Sequence, residues 1–494
     1  MNAPDSSFAV APARARHRRL AIITSFDELC GIAAYARALI RQLEPVFDLE
    51  VFELDQFLLR GSSKRLRRSA DKHIESIASA LKNFDCVNIQ LEYGTLGLGA
   101  GDIVRRFGRL VDAASAISVT CHTVIRPEAA FNQAMTDLGG FRVGKAAGSI
   151  ATYLEKRRLL RGTFLPLQRS QHKKPTSVIV HTQRDRNYVH HLCGIERVYE
   201  HPLAFISAKE AAEINAKASR RHFPVLDGVP QDAKLVGTFG FISPYKGLDT
   251  VIRAIRHLPP DHHLLIFGAV HPQEIRMWEP IDPFLKSLLK EANVGQSILD
   301  QIKEMAGEGL ESRSVSFSVD SSTRGIFENP SPHPRDLSGR VHFMGSLDDD
   351  QFALGMAICD AVVLPYLEVG QSSSGPISNA VELGCRVIAS RTSAFRQFGR
   401  YHPNLVEYFD IGNHLELAQR IKAPSPAVNH RRANLRFDTT TNTAIYLRAN
   451  SDDRDSKVVS PAVERRPGVE TAATAALASV DASPGRTVSG RELV

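Results

Sequence analysis

The sequence predicts an α/β protein built from two doubly wound parallel-sheet domains. Three observations carry this. Nine short apolar runs are near-continuous in Val, Ile and Leu, as expected of strands covered by helices on both faces. Amphipathic helical stretches separate these runs. The pattern occurs twice, and 494 residues are too many for one core, so two domains of roughly 200 residues each are expected.

In chain order, residues 1–18 are rich in Ala, Pro and Arg and read as disordered. The first domain is placed at 19–205, with strands in LAIITSF (20–26), CVNIQLEY (86–93), ISVTCHT (117–123) and SVIVHT (177–182). A break is expected near YEHPLAFISAKE (199–210). The second domain, 206–424, takes KLVGTFGF (234–241), HLLIFG (263–268), VHFMG (341–345), AVVLPY (361–366) and RVIAS (386–390). An excursion over about 270–340, with helical pieces at 282–307 and a Ser-rich loop, interrupts it. After a Pro-rich joint, IKAPSPAV (421–428), the segment 425–450 returns as one last helix in FDTTTNTAIYLRAN (437–450). Residues 451–494 contain no aromatic residue and read as a disordered tail.

Composition narrows the setting. The net charge is +7, but residues 1–200 hold 29 Lys+Arg against 20 Asp+Glu, and the remainder is slightly acidic. A basic front half points to an anionic surface or substrate. RGSSKRLRRSADKHIESIASALK (60–82) is basic and partly amphipathic, and is the stretch expected to touch anionic lipid. No nucleic-acid partner is expected. No apolar run reaches the ~18 residues of a membrane span, and no secretory h-region follows the start. Six scattered cysteines, without CxxC spacing, read as reduced core residues of a cytoplasmic protein, with peripheral attachment to the inner face of the membrane left open.

The polar residues of interest fall at the carboxyl ends of the expected strands, where open parallel sheets bind ligands. Gly31 follows the first run, Glu92 ends the second, His122 the third, and His181 with Thr182 the fourth. Ser243 and Lys246 follow GTFGF, and EVGQSSSGPISNAVELG (368–384) follows AVVLPY. In that stretch Ser374 reads as a helix N-cap and Pro376 as the first helical residue. The turn is either an ordinary capped helix or a socket for an anion. A second anion-friendly loop, FGFISPYKGLD (239–249), favours the socket. The acids of DDD (348–350) read as helix-start residues rather than a metal site. His190–His191 and His262–His263 lack ligand spacing.

Taken in order, four segments resemble the retaining GT-B glycosyltransferases of the family-4 kind (glycosyl transferases group 1). They are GIAAYARALIRQL (31–43), VTCHT (119–123), GFISPYKG (240–247) and VHFMGSLDDDQFALGMAICDAVVLPYLEVGQSSSGPISNAVELGCRVIAS (341–390), and the resemblance spans roughly 20–450. It implies two Rossmann-like domains facing a central cleft, with a nucleoside diphosphate sugar bound by the second domain and the acceptor by the first. Lys246, with Ser243 in the same loop, would pair with the diphosphate. Backbone N–H groups at Gly375, Pro376 and Ile377, with the hydroxyls of Ser373 and Ser374, would cradle the distal phosphate. Loops at Gly268 and Gly345 would hold the nucleoside. Gly31 would let the first loop approach the diphosphate, and His122 would hydrogen-bond the transferred sugar or the departing oxygen. His122, Lys246 and Gly31 are thus the catalytic candidates, with Glu92, His122 and Asn379 the sugar or acceptor contacts. Neither a metal nor a cofactor is called for.

The sequence departs from the family where many members carry two glutamates: those positions hold Gln371 and Asn379. An arginine usual before the lysine is also missing, with Phe241 near its place. The expected activity is retaining transfer of a sugar to a lipid-linked or polysaccharide-precursor glycan. The alternatives are a non-catalytic GT-B module that binds nucleotide sugar or glycan in an assembly, and a same-fold epimerase or phosphorylase.

Overall fold

All nine expected runs form strands. The computed structural model describes residues 17–28, 30–270, 281–292, 337, 339–424 and 435–451. The expectations for the two termini, most of the 270–340 excursion, and 425–434 lie outside these residues. Sheet one contains β1 (Arg19–Thr24), β2 (Asp48–Glu53), β3 (Cys86–Leu91), β4 (Ile117–Cys121), β5 (Thr176–Val180) and β6 (Val198–Glu200) in the order β2-β1-β3-β4-β5-β6. Sheet two contains β7 (Lys234–Phe239), β8 (His262–Phe267), β9 (Val341–Gly345), β10 (Ala361–Leu364), β11 (Val387–Ser390) and β12 (Val406–Phe409) in the order β12-β11-β10-β7-β8-β9. Every pairing within the two ladders is parallel.

Three strands escaped the reading of the sequence, and all three are edges. β2 reads DLEVFE with no residue fully buried, β6 is three residues long, and β12 reads VEYF with two half-buried positions. An edge strand is paired on one side only and tolerates charge, so it lacks the continuous apolar run of a central strand.

The helices of the first half are α1 (Gly31–Leu43), α2 (Gln56–Leu59), α3 (Lys64–Ala80), α4 (Ala100–Ala113), α5 (Glu128–Gly139), α6 (Val143–Gln171) and α7 (Gln183–His191). The second half gives α8 (Ala208–Lys217), α9 (Leu248–Ile255), α10 (Pro283–Glu291), α11 (Asp349–Ala357), α12 (Gly375–Glu382), α13 (Ser393–Tyr401), α14 (His414–Lys422) and α15 (Thr439–Ala449). They cover both faces of each sheet, giving two apolar clusters around each. Among the described residues no helix is long and apolar enough to cross a membrane.

Strand order locates the crevices. In sheet two the chain runs outward from β7 to β9, then restarts beside β7 with β10. Loops leaving β7 and β10 therefore diverge to opposite faces and open a gap at their carboxyl ends. In sheet one the same reversal falls between β1 and β3. The loops carrying Lys246, the serine turn, Gly31 and Glu92 are the ones that leave these four strands.

α15 completes the first sheet rather than the second. Tyr446 meets Thr120 Oγ1 at 2.8 Å, Ser118 donates to Asn450 Oδ1 at 2.8 Å, and Ser177 donates to the Ala449 carbonyl at 2.8 Å. The basic stretch at 60–82 is also partly spoken for. On α3, Arg67 pairs with Asp102 at 2.8 Å, Asp71 takes Arg105 and Arg106, and Glu75 takes Arg109, all from α4. Arg67 is the one basic residue of the stretch in these pairs; the others engage its acids, Asp71 and Glu75.

Candidate functional site

At the carboxyl ends of β7, β8 and β10 three loops converge. β7 runs into Gly240 and a short 3₁₀ turn, Pro244–Lys246, which ends in the left-handed Gly247. The Gly268 amide donates to the Gly345 carbonyl at 2.8 Å, tying β8 to β9. Gly268 has φ +147°, and a Cβ there would stand 2.0 Å from the Gly240 carbonyl oxygen. Only a residue without a side chain allows this approach. A Cβ on Gly240 would stand 3.0 Å from Lys246 Nζ and 3.9 Å from Pro376 Cγ. The lysine and the start of α12 therefore flank one bare patch of backbone.

Lys246 is 6% exposed. Its ammonium donates to the Tyr366 hydroxyl and lies 3.9 Å from the centre of that ring and 5.1 Å from that of Tyr245. Among the described residues no carboxylate pairs with it, and burial draws its pKa below the ordinary lysine value. Ser374 donates to the same Tyr366 hydroxyl at 3.4 Å. Its side chain makes no capping bond to its own helix. The Ile377 amide, which a serine cap would take, is thus left to another acceptor. One detail of the sequence reading changes. Pro376 sits at the second helical position and has no N–H, so the amides this turn can offer are those of Gly375 and Ile377. A Cβ on Gly375 would meet Phe205, 3.2 Å away, in the segment between the sheets.

Across from this corner lies His122, buried at the end of β4. Its Nε2 is 2.9 Å from Gln90 Oε1. The Gln90 amide nitrogen faces Asn88 Oδ1, Thr120 and Tyr446, which directs its carbonyl oxygen at the imidazole. Nε2 therefore carries the proton and Nδ1 the lone pair. Burial, and then the neighbouring His181, hold the His122 pKa well below the ordinary histidine value, so the ring is neutral. His181 packs 5.1 Å away, donates from Nδ1 to the His201 carbonyl at 3.0 Å, and leaves Nε2 unpartnered. Glu92 directly follows β3. It accepts from Thr123 Oγ1 at 2.8 Å, and burial raises its carboxyl pKa.

Contacts join the two halves. Arg37 of α1 forms a bidentate pair with Asp349 at 2.8 and 3.1 Å, and Arg184 donates to Ser393 Oγ at 2.9 Å. A small cavity lined by His181, Thr182, Ser372, Ser374 and Ser378 lies between them. Its free volume of about 10 Å³ suits one water, not a phosphate.

The acids near the serine turn hold backbone. Glu382 accepts from the amides of Phe205 and Ile206 at 3.0–3.1 Å, and Glu368 accepts from Ser393 at 2.6 Å. Half-buried Gln371 and Asn379 make no side-chain hydrogen bond among the described residues. Gly31 opens α1, and a Cβ on it would meet nothing within 4 Å. Gly345 is likewise open, and Ser243 precedes the 3₁₀ turn. Asp348 caps α11 by accepting from Gln351 at 2.8 Å. Among the described residues no three His, Cys, Asp or Glu side chains are grouped to hold a metal ion. Sequence reading missed Gly240, Tyr366, Gln90 and Tyr446. Tyr366 alone left a signal, a polar ring closing the AVVLPY run at a strand end.

No protein-family model matches the chain, and no curated protein matches it. Solved structures do. HepE of Anabaena, in complex with UDP and glucose, superposes with a TM-score of 0.51 at 16% identity, covering 87% of this chain and 99% of its own. Sucrose-phosphate synthase of Thermosynechococcus elongatus gives 0.53 at 13%, covering 87% and 99%. A UDP-forming α,α-trehalose-phosphate synthase of Burkholderia xenovorans gives 0.54 at 10%, covering 88% and 98%. At these identities the likeness establishes the fold: two facing parallel-sheet units of GT-B type.

Proposed function

We propose that this chain is a glycosyltransferase that takes a sugar, with retention, from a nucleoside diphosphate sugar to a lipid-linked or polysaccharide-precursor glycan. The observation that carries the reading is Lys246: a buried ammonium with no carboxylate partner, beside an uncapped helix start at the switch point of sheet two. A cation held this way invites a multiply charged anion. Breaking the bond from the anomeric carbon to the diphosphate puts negative charge on the leaving group. Preorganised amides of Gly375 and Ile377 and the Lys246 ammonium stabilise that charge as it develops. His122 offers a lone pair on Nδ1, which suits a sugar hydroxyl rather than the departing oxygen. Glu92 and Asn379 would make further sugar or acceptor contacts, and Gly31 would keep the facing loop bare. UDP, present in the HepE structure, is the first nucleotide to test.

The amides at Gln371 and Asn379 favour one other reading, a module that binds the donor without turning it over. Donor hydrolysis with a panel of nucleotide sugars separates the two. Turnover of at least one donor is the expected result, and tight binding with no turnover on any acceptor would select the module.

Ser374→Ala distinguishes a cradle from a cap. Since Ser374 does not cap α12, the unfolding free energy should hold, whereas a lost cap costs about 1 kcal/mol. Affinity should fall for the nucleoside diphosphate and much less for the nucleoside. Equal losses for both ligands would return the turn to a structural role.

A further inference from the structure

The region 140–175 carries nine Lys+Arg and one acid, Glu155. It contains all of α6, a 29-residue helix about 40 Å long. Residues at helical spacing build one exposed row along it. Val143, Ile150 and Leu154 come first, 69%, 38% and 54% exposed. Arg157, Arg158, Arg161 and Arg169 follow, with Leu165 among them. The opposite face, through Leu159, Phe164 and Leu167, is buried in the first domain. Gly162 lets α6 lie against α4, since a Cβ there would stand 2.2 Å from Val104. The four arginines line a groove of about 540 Å³ along this contact. Among the described residues none of the four has an ion pair or a hydrogen bond. At the other end, Phe141 in the α5–α6 turn is 92% exposed. Phe131, Met135 and Leu138 form a second exposed row on α5, joined to α6 by the Phe131–Tyr153 contact at 5.4 Å.

We infer that the α5–α6 hairpin docks on an anionic lipid bilayer. Unpaired guanidiniums in one row call for a surface of phosphates. The large apolar side chains on the same row call for a surface with apolar depth. A bilayer interface offers both to one helix lying flat, whereas an aqueous polyanion leaves Phe141 and Leu154 in water. The hairpin begins six residues after His122, at Glu128, so docking would bring a membrane-borne acceptor to the rim of the proposed site. This deepens the lipid-linked part of the proposed function and rests on it for its purpose. The test reads lipid binding and not transfer, so the two can fail separately.

The experiment is vesicle co-sedimentation at low salt, with phosphatidylcholine alone or mixed with phosphatidylglycerol. The intact protein should bind the anionic vesicles far more tightly. Each basic side chain at such a surface contributes about fivefold, so the R157Q/R158Q/R161Q/R169Q variant should bind between two and three orders of magnitude more weakly. Phe141→Ser with Leu154→Ser should remove the binding that survives high salt. All these side chains are exposed, and unchanged melting curves would exclude misfolding. R65Q/R68Q on α3 should behave like the intact protein. Equal binding to neutral vesicles, an unaffected quadruple variant, or tighter binding of an RNA oligonucleotide than of vesicles through the same arginines would overturn the proposal.

Discussion

Lys246→Met is expected to weaken binding of a nucleoside diphosphate by roughly ten- to 150-fold, the worth of a charge-assisted hydrogen bond of about 1.5–3 kcal/mol. Affinity for the nucleoside alone should hardly move. The melting temperature should hold or rise. An ammonium that is 6% exposed and held by the side chains of Tyr366 and Tyr245, with no carboxylate partner among the described residues, is costly to bury, and methionine fills the same space without charge. Opposite signs for affinity and stability mark a residue retained for a ligand. Titration calorimetry with both ligands, plus one melting curve, checks this. Unchanged diphosphate affinity would remove Lys246 from the site. A large fall in melting temperature would mean that the lysine serves the fold.

The second large effect concerns pH. Burial holds His181 and His201 near pKa 4, where an unfolded chain has about 6.5. Burial keeps His201 neutral although its Nδ1 donates to the Pro202 carbonyl at 2.6 Å, a bond that favours the charged ring; its Nε2 lies 2.8 Å from Thr441 Oγ1. Above pH 6.5 such a group is neutral in both states and has no effect. As pH falls from 6.5 toward 4, the unfolded chain takes up the proton first, and stability drops by about 1 kcal/mol per pH unit per group. The buried carboxyls of Glu92, Glu200 and Glu382 shift the opposite way, because burial raises their pKa values. A difference between variants therefore isolates the histidine. His181→Asn keeps a donor for the His201 carbonyl and removes the titration. The gap in unfolding free energy between pH 7.5 and pH 5 should be about 2 kcal/mol more favourable to acid in this variant than in the parent. Identical gaps in urea unfolding would show that His181 is not held neutral.

The parts legible in the sequence share a physical cause. Central strands such as β3 and β10 are buried on both faces, so their residues must be apolar throughout. A loop such as SPYKG at the end of such a run announces itself by glycine and charge. Edge strands β2, β6 and β12 carry no such demand and were invisible. The networks behind the site were invisible for a different reason: Thr120 and Tyr446 are separated by 326 residues, Lys246 and Tyr366 by 120. Nothing local in TNTAIYL says that its tyrosine will back the sheet behind His122. The orientation of Gly375 toward Phe205 likewise depends on where the segment between the sheets passes, and that is set by Glu382 holding two of its amides.

The central claim is that the Lys246 loop and the start of α12 form one diphosphate site. A crystal structure of the protein with a nucleoside diphosphate tests it most directly. The account predicts the terminal phosphate within hydrogen-bond reach of the Gly375 and Ile377 amides and of Lys246 Nζ, over the bare backbone of Gly240. A diphosphate bound elsewhere in the cleft, with Lys246 still on Tyr366, would contradict it.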